Sequence, residues 1–377
     1  MLAVSGARVS TGYTELGVRP VINAAATLTR LGGSRMPPPV LDAMRGAAGS
    51  FVDLVELQRR VGDRIAELTG NEACYISSGA AAGMAISIAA CITSRDASLI
   101  TALPATAALN PEVIVYRAQR NGYDQAARQT GAQFVEIGEE REELEMALSP
   151  RTVCVLYFAG AHFATGALPL AEVIEEAHAR GVPVLVDAAA QIPPIQNLWT
   201  FTRDIGADAA IFSGGKGLRG PQSSGLVLGR RDLVESCIAN GPPNHSLGRP
   251  MKVGKEELLG ILAAVEWSLA QDEPALLASY EAIVQRWLAG LADVPGVRVE
   301  RGFPSEAGQP HARAIVHLLP ESMRTKKELV DALWQGDPRI AVGDAGDSAI
   351  GLNPQTLEPG EAEVVLGAVR RVLTANG

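Results

Sequence analysis

The stretch Val182-Pro183-Val184-Leu185-Val186-Asp187 is a short apolar run that ends on a carboxylate. A run of this kind is typical of a strand buried on both faces, as in a parallel sheet covered by helices. Ligands of open α/β sheets bind beyond the carboxyl ends of the strands, so Asp187 lies where a binding site is expected. Asp187 could equally cap a helix that begins at Ala188, and this stretch alone leaves both interpretations open.

Strand-like and helix-like patterns alternate from about residue 70 to residue 240. The predicted strands are Ala73–Ser77, Leu99–Thr101, Val113–Arg117, Gln133–Ile137, Thr152–Phe158, Val182–Asp187, Ala209–Phe212 and Gly225–Leu228. The predicted helices include Gly79–Ile92, Tyr123–Gln129, Glu142–Ala147, Leu170–Ala179 and Asp232–Ala239. Alternation of this kind indicates crossover connections and a parallel sheet. The predicted fold class is therefore α/β, with a large domain on a mainly parallel, seven-stranded-type sheet flanked by helices.

The chain on either side of this region has a different pattern. Residues 1–50 are dense in Gly and Pro and are predicted to form an N-terminal arm, and residues 51–250 form the large domain. Residues 251–377 are predicted to hold a linker helix, from about Lys255 to Leu291, and a small C-terminal α+β domain. The strands predicted there are Val297–Glu300, Ala312–Leu318, Arg339–Val342 and Ala349–Gly351, and the helices are Lys326–Trp334 and Gly360–Thr374.

Composition argues against several classes of protein. The net charge is −9 and no long run of Lys and Arg occurs, and both observations argue against tight binding of nucleic acid. The most apolar segment, Ala80–Ile92, is shorter than the roughly 20 residues that span a membrane, and Met1–Val18 lacks the pattern of a signal peptide. The cysteines show no CxxC spacing and the histidines no HExxH pair, so we expect a cytoplasmic protein without a metal site.

The stretch Ser77-Ser78-Gly79-Ala80-Ala81-Ala82-Gly83 follows a predicted strand and opens a predicted helix. Small residues let backbone N–H groups approach an anion, and the dipole of the helix favours negative charge at its N-terminus. The stretch is neither a P-loop nor a GxGxxG turn. A tight strand-to-helix turn without a ligand remains an equal interpretation.

A lysine stands in a glycine-rich turn in Ile211-Phe212-Ser213-Gly214-Gly215-Lys216-Gly217, directly after a predicted buried strand. Desolvation there would lower the pKa of the amine and favour its attack on an aldehyde. The alternative is a solvent-exposed lysine in a loop. A phosphate turn, a strand-end acid and a strand-end lysine in this order predict a site for pyridoxal 5′-phosphate (PLP), because PLP needs an anion site, a partner for its ring nitrogen and an amine.

Nearly the whole chain resembles the aspartate aminotransferase superfamily of PLP enzymes (fold type I), and within it the selenocysteine synthase-like group. That group includes seryl-tRNA selenium transferase and D-glucosaminate-6-phosphate ammonia-lyase-like proteins. The resemblance is carried by Val21–Ala25, Leu31–Ser34, Phe51–Leu54, Ser78–Ala82, Arg120–Asp124, Asp187–Gln191 and Ser213–Gln222.

The resemblance implies roles for residues of the site. Lys216 would carry PLP as a Schiff base and Asp187 would pair with the pyridine nitrogen. Gln191 would bond the ring hydroxyl, and the phosphate would be held by Ser78, Gly79, Ala80 and Ser213. The Gly220-Pro221-Gln222 turn would reach the phosphate of a neighbouring subunit in a homodimer or larger homo-oligomer. The candidates for contacting the substrate are Asn23, Thr27 and Arg35 on the arm, and Arg313 and Arg339 in the small domain.

The chain departs from the group at two positions. Relatives usually have a histidine where this chain has Gln119, and that histidine is a candidate for stacking on the cofactor or for proton transfer. We therefore count Gln119 among the predicted cofactor-binding residues, although an amide cannot titrate. The arm reads Ala25-Ala26-Thr27 where relatives usually read Ala-Gly-Thr.

The resemblance favours a PLP-dependent lyase that performs α,β-elimination on an amino acid or amino sugar acid. Racemisation, transamination and aldol cleavage share its early steps, so Lys216 and Asp187 do not separate these reactions. A tRNA-dependent selenium transferase is disfavoured by the acidic net charge. A non-catalytic relative that only binds PLP is disfavoured because both residues are present.

Overall fold

The computed structural model describes residues 12–105 and 109–375. Its strands are β1 Val21–Ala24, β2 Ala73–Ser77, β3 Glu112–Tyr116, β4 Gln133–Ile137, β5 Thr152–Phe158, β6 Val184–Asp187, β7 Ala209–Ser213, β8 Gly225–Gly229, β9 Val297–Gly302, β10 Arg313–Leu318, β11 Arg339–Asp344 and β12 Ala349–Leu352. Its helices are α1 Pro38–Ala48, α2 Leu54–Thr69, α3 Ala80–Thr93, α4 Ala97–Ala102, α5 Asp124–Arg128, α6 Arg141–Ala147, α7 Leu170–His178, α8 Asn197–Trp199, α9 Arg231–Asn240, α10 Lys255–Leu269, α11 Glu273–Leu291, α12 Lys326–Gln335 and α13 Glu361–Thr374.

The chain forms two compact units. The larger unit contains residues 27–277 and Pro304–His311, and the smaller contains residues 1–26, 278–303 and 312–377. These limits differ from the predicted boundaries at residues 50 and 250. The difference arises because α1 and α10 pack against each other within the larger unit.

The larger unit is built on a seven-stranded sheet with the order β2-β8-β7-β6-β5-β3-β4. Strand β8 runs antiparallel to both neighbours, and the other pairs are parallel. The α/β fold with a mainly parallel seven-stranded sheet is thus confirmed. Parallel strands require crossover connections, which explains the alternation of strands and helices seen in the sequence.

Apolar side chains cover both faces of this sheet. On β5, Val155 and Tyr157 belong to a buried cluster on one face, while Cys154, Leu156 and Phe158 belong to a second cluster on the other. The alternation follows from the two-residue period of a strand. A sheet buried on both faces leaves its strand ends as the places where polar groups can meet a ligand.

The smaller unit has a five-stranded sheet with the order β1-β11-β12-β10-β9. Its core includes Trp287, whose indole N–H donates to the carbonyl of Ala362 at 2.9 Å. Strand β1 pairs in parallel with β11, so part of the predicted arm is a strand. Residues 1–50 were predicted to form an arm, but the pairing of β1 with a strand some three hundred residues later could not be predicted from the local sequence.

Two local predictions are wrong. Leu99–Thr101 lies in helix α4 and not in a strand, because the side chain of Asp96 caps the helix by accepting from the N–H groups of Ser98 and Leu99. The helical stretch predicted from about Lys255 to Leu291 is two helices, α10 and α11, with a break between Leu269 and Glu273.

Candidate active site

The register of the large sheet brings three strand ends to one edge. Ser77 at the end of β2 and Ser213 at the end of β7 both pair with Gly225 of β8. Asp187 at the end of β6 pairs with Ile211 of β7. The turns that follow β2, β6 and β7 therefore share one edge of the sheet.

The turn after β2 leads directly into helix α3. Gly79 precedes the helix with φ 110°, a backbone conformation that favours glycine, and the Ser77 hydroxyl donates to its carbonyl at 2.9 Å. A Cβ atom added at Gly79 would meet no atom within 4 Å, so open space lies beside the turn. An α-helix leaves its first N–H groups without helical acceptors, and these groups together with the dipole make this turn suited to an anion.

Asp187 and Lys216 influence each other's ionisation at this edge. Burial raises the pKa of Asp187, and the N–H of Ala189, which donates to the carboxylate at 2.9 Å, and the charge of Lys216 oppose this rise. Burial lowers the pKa of Lys216, and the charge of Asp187 opposes this fall. In both residues the largest cause of the pKa shift is desolvation of the charged form. The site thus holds an amine that loses its proton more readily than a free lysine.

Close packing fixes the loop that carries Lys216. A Cβ atom added at Gly217 would lie 2.0 Å from the carbonyl oxygen of Ile192, so only glycine fits there. The Ser34 hydroxyl lies 3.0 Å from the carbonyl oxygen of Gly215 and 2.9 Å from that of Lys216, and it can donate to either. The lysine therefore sits on a loop held from two sides.

Two cavities adjoin Asp187 and Lys216. The larger has a volume of about 550 Å³, and the smaller about 200 Å³. The lining of the larger cavity combines residues of the turn before α3, the arm and the lysine loop. Its members are Thr27, Thr29, Gly33, Ser78, Gly79, Ala80, Ala81, Met84, Tyr123, Asp187, Ala189, Ser213, Gly215, Lys216, Gln222 and Ser223. Asp187, Ala189, Lys216 and Tyr123 line both cavities.

Known proteins share this architecture along nearly the full chain. The aminotransferase class-V family model matches residues 72–251. A Salmonella typhimurium protein named D-glucosaminate-6-phosphate ammonia lyase is 30% identical, over 96% of this chain and 97% of its own length. The chain belongs to the aminotransferase class-V family.

Two further similarities cover nearly the whole chain. A Streptomyces protein named 5'-C-glycyluridine monooxygenase-decarboxylase is 32% identical, over 97% of this chain and 92% of its own. A solved structure of D-glucosaminate-6-phosphate ammonia-lyase is 28% identical and superposes with a TM-score of 0.82, covering 97% of this chain and 99% of the other. The names of these relatives describe different reactions, so membership of the class-V family does not by itself identify the reaction of this chain.

The chain is an enzyme of the class-V family, and its cofactor is PLP. The residues present fit this cofactor. The turn at Gly79 is open and has the N–H groups that a phosphate requires, and the buried carboxylate of Asp187 requires a cationic partner. Lys216 supplies an amine with a lowered pKa in the same cavity.

Most predicted site residues lie at these two cavities. Thr27, Ser78, Gly79, Ala80, Asp187, Ser213, Lys216 and Gln222 line the larger one, and Gln191 lines the smaller. Asn23, Arg35, Gln119, Gly220, Arg313 and Arg339 line neither. Arg35 is exposed, and its carbonyl accepts from the side chain of Arg219 at 2.8 Å. The Gly220 N–H donates to the carbonyl of Gly214 at 2.8 Å and closes the lysine loop.

Gln119, which we predicted to bind the cofactor, lines neither cavity. Its side chain is fully buried. The amide oxygen accepts from the N–H of Phe158 at 2.9 Å, and the amide nitrogen donates to the carbonyl oxygen of Phe163 at 3.3 Å. The amide thus joins the end of β5 to the turn at Ala161–Phe163. An amide suits this place because it donates and accepts at once.

The second departure from the group lies at a position where the backbone itself favours glycine. Ala26 has φ 135°, in the region that favours glycine. The side chain of Asn23 holds this turn, since its amide donates to the carbonyl of Ala26 at 2.8 Å and its oxygen accepts from the N–H of Ala25 at 2.9 Å. Asn23, predicted to contact substrate, therefore has a structural role within the smaller unit.

The sequence analysis gave no role to several residues that line the cavities, among them Tyr123 and Glu306. Tyr123 lines both cavities and lies in a motif that we had noted without giving it a role. Glu306 and its neighbour Ala307 line the smaller cavity. Nothing in the local sequence marks Glu306, because the loop that carries it is separated from Lys216 by the whole of α9, α10 and α11.

The residues that the structure describes include neither a metal site nor a membrane-spanning helix. No group of His, Cys, Asp or Glu there is arranged to hold a metal ion. Among the same residues, no helix is both long and apolar enough to cross a membrane.

Proposed function

We propose that this enzyme eliminates a β-substituent from an amino acid or amino sugar acid, with PLP attached to Lys216, as an ammonia-lyase or dehydratase. The proposal is carried by one observation: an open anion turn, a buried carboxylate and an amine of lowered pKa meet in one cavity. The full-length similarity to a protein named as an ammonia lyase supports this type of reaction.

Each residue in this proposal has a defined task. The turn at Ser78, Gly79 and Ala80, with Ser213, binds the phosphate group through N–H and hydroxyl donors. Asp187 would keep the ring nitrogen protonated, because a buried carboxylate favours a cation beside it. PLP, when bound, supplies an electron-withdrawing ring to the Cα of the attached amino acid.

Lys216 also acts as the base in this proposal. With a substrate amine in its place on the cofactor, Lys216 would have a free amine that could take the proton from Cα. Burial lowers the pKa of Lys216, which favours the neutral form that accepts a proton. The β-hydroxyl leaves with a proton as water, and the resulting enamine hydrolyses to a 2-oxo acid and ammonia.

Other predicted roles stay within the proposal. Gln191 presents its side chain to the smaller cavity, next to Asp187, and Thr27 faces the larger one. We propose that the enzyme works as a homodimer or larger assembly in the cytoplasm. The side chain of Gln222 donates within its own chain to the carbonyl of Thr29 at 2.9 Å, so reaching a partner's phosphate would require this bond to open. Light scattering of the purified enzyme tests the assembly.

A second candidate is an oxygen-dependent decarboxylation. It is favoured by the 32% identity to a protein named as a monooxygenase-decarboxylase over 97% of this chain. That reaction would consume O₂ and release the substrate carboxylate as CO₂, whereas elimination needs no oxidant.

The two candidates are separated by measuring products with and without oxygen. The holoenzyme is incubated with glucosaminate, its 6-phosphate and β-hydroxy amino acids, and ammonia, 2-oxo acid, CO₂ and O₂ are followed. Elimination predicts equal amounts of ammonia and 2-oxo acid, unchanged under anaerobic conditions. Release of CO₂ that stops when O₂ is removed would replace the proposal with the second candidate, and no ammonia from any substrate would refute it.

A further inference from the structure

Tyr123 stands at the junction of the two cavities. With Asp187, Ala189 and Lys216, it is one of four residues that line both of them. The side chain is 60% exposed, so most of its surface is open to the cavities or to solvent and is not packed into the core. A molecule held at Asp187 and Lys216 would therefore lie beside Tyr123.

The backbone of Tyr123 is fixed although its ring is accessible. Its N–H donates to the side-chain oxygen of Asn121 at 2.8 Å, and the side-chain amide of Asn121 donates to the carbonyl of Gln119 at 2.9 Å. Gln119 is itself fully buried and is bonded to Phe158 at the end of β5. A turn closed by an asparagine side chain holds its backbone in place, so the ring of Tyr123 starts from a defined point.

The hydroxyl of Tyr123 is not engaged by its own chain. Within the part of the chain that the structure describes, it makes no hydrogen bond. By contrast, the hydroxyl of Tyr157 donates to the carbonyl of Leu168 at 3.2 Å. A phenol hydroxyl both donates and accepts, so Tyr123 has a proton to give to a group that enters the cavities.

The proposed elimination requires a proton at the leaving oxygen. Hydroxide leaves poorly and water leaves readily, so an acid beside the β-oxygen accelerates the step. The titratable side chains in the described lining of the cavities are Asp187, Lys216, Glu306 and Tyr123. Asp187 is assigned to the ring nitrogen, Lys216 takes the proton from Cα, and Glu306 already has an interaction partner. Tyr123 is the remaining acid.

We propose that the hydroxyl of Tyr123 donates the proton with which the β-hydroxyl group of the substrate leaves as water. This inference rests on the proposed function and adds a second acid–base residue to it. As the bond between Cβ and oxygen breaks, its electron pair stays on the oxygen, which takes the proton of the phenol. Lys216 then holds the proton from Cα and passes it to the phenolate, so both side chains return to their starting state.

Tyr123→Phe tests this role because it removes the hydroxyl and keeps the ring. Wild type, Tyr123→Phe and a matched control, Tyr13→Phe, are compared as holoenzymes, since the side chain of Tyr13 is exposed and lines neither cavity. In D₂O, NMR follows the exchange of the Cα proton for deuterium, and ammonia release is assayed in the same samples. The substrates are glucosaminate and both enantiomers of serine.

Tyr123→Phe is expected to lower ammonia release about 100-fold or more, as for loss of a general acid, while exchange at Cα continues at or above the wild-type rate. Tyr13→Phe should match wild type in both measurements. Unchanged ammonia release, or exchange that falls as far as ammonia release, would overturn the inference. If wild type released ammonia from none of the substrates, the proposed elimination itself would be refuted, and this role with it.

A binding comparison gives a second readout that needs no turnover. α-Methylserine keeps the β-hydroxyl but has no proton at Cα, and 2-aminoisobutyrate is the same molecule without the hydroxyl. Dissociation constants are measured by titrating the visible absorbance of the cofactor. Tyr123→Phe should weaken α-methylserine about 3- to 10-fold, as for loss of a hydrogen bond, and leave 2-aminoisobutyrate unchanged. Equal changes for the two ligands would show that the two hydroxyls do not meet, which would overturn the inference.

Discussion

Replacing Gln119 by alanine should destabilise the protein and leave its affinity for PLP unchanged. The substitution leaves the N–H of Phe158 buried without its acceptor, which costs about 1–3 kcal/mol. Loss of the weaker bond to the carbonyl of Phe163 adds about 0.5–1.5 kcal/mol. The free energy of unfolding should therefore fall by about 1.5–4.5 kcal/mol.

Thermal unfolding of the apoprotein measures this loss, and titration of the apoprotein with PLP measures cofactor affinity. The midpoint of unfolding should fall by several degrees for Gln119→Ala. Gln119→Glu keeps an acceptor for Phe158 but sets a carboxylate oxygen against the carbonyl of Phe163, so its midpoint should fall as well. Gln125→Ala, which truncates an exposed side chain of α5, is the control. If Gln119→Ala kept its unfolding midpoint and lost PLP affinity by about tenfold, Gln119 would contact the cofactor and the reasoning would be refuted.

Three other substitutions have defined outcomes. Lys216→Ala should lower turnover by at least about 10³-fold while the apoprotein keeps its unfolding midpoint, and turnover near wild type would contradict the role of this amine. The rate at which the apoprotein takes up PLP should rise with pH through a midpoint below the value of about 10.4 for free lysine, because burial lowers the pKa of Lys216 and the neutral amine reacts. Asp187→Asn removes the charge that raises the pKa of Lys216, so the midpoint pH measured by stopped-flow absorbance should fall further. A higher midpoint pH would show that the two groups do not interact as described. Ala26→Gly should raise the free energy of unfolding by about 1 kcal/mol, because glycine relieves the backbone strain at φ 135°. Denaturant titrations measure this change, and a loss of stability would show that the alanine is not strained.

The sequence predicted the large sheet, and the strand ends that carry Asp187 and Lys216, for a physical reason. Strands such as Thr152–Phe158 are buried on both faces, so their apolar runs are continuous and end sharply. Asp187 and Lys216 each follow such a strand directly, and the register of parallel strands then determines that they share an edge. These features depend on short stretches of sequence.

What the sequence did not predict depends on distant parts of the chain. Strand β1 exists because it pairs with β11, and Glu306 reaches the cavity because Gln309 bonds to Ile192. Nothing in the local sequence indicated the hydrogen bonds of Gln119 to the end of β5 and to the turn at Ala161–Phe163. Leu99–Thr101 has the composition of a strand, but the cap from Asp96 makes it helical.

The connection between β9 and β10, Pro304–His311, is held by the side chains of Gln191 and Gln309 and by the close approach of Gly308 to Ala161. Gln309 donates to the same Ile192 carbonyl against which Gly217 packs, so this connection and the loop of Lys216 share one support. Insertions or deletions in the connection are therefore expected to disturb the lysine as well, which limits how freely this part of the chain can change in length.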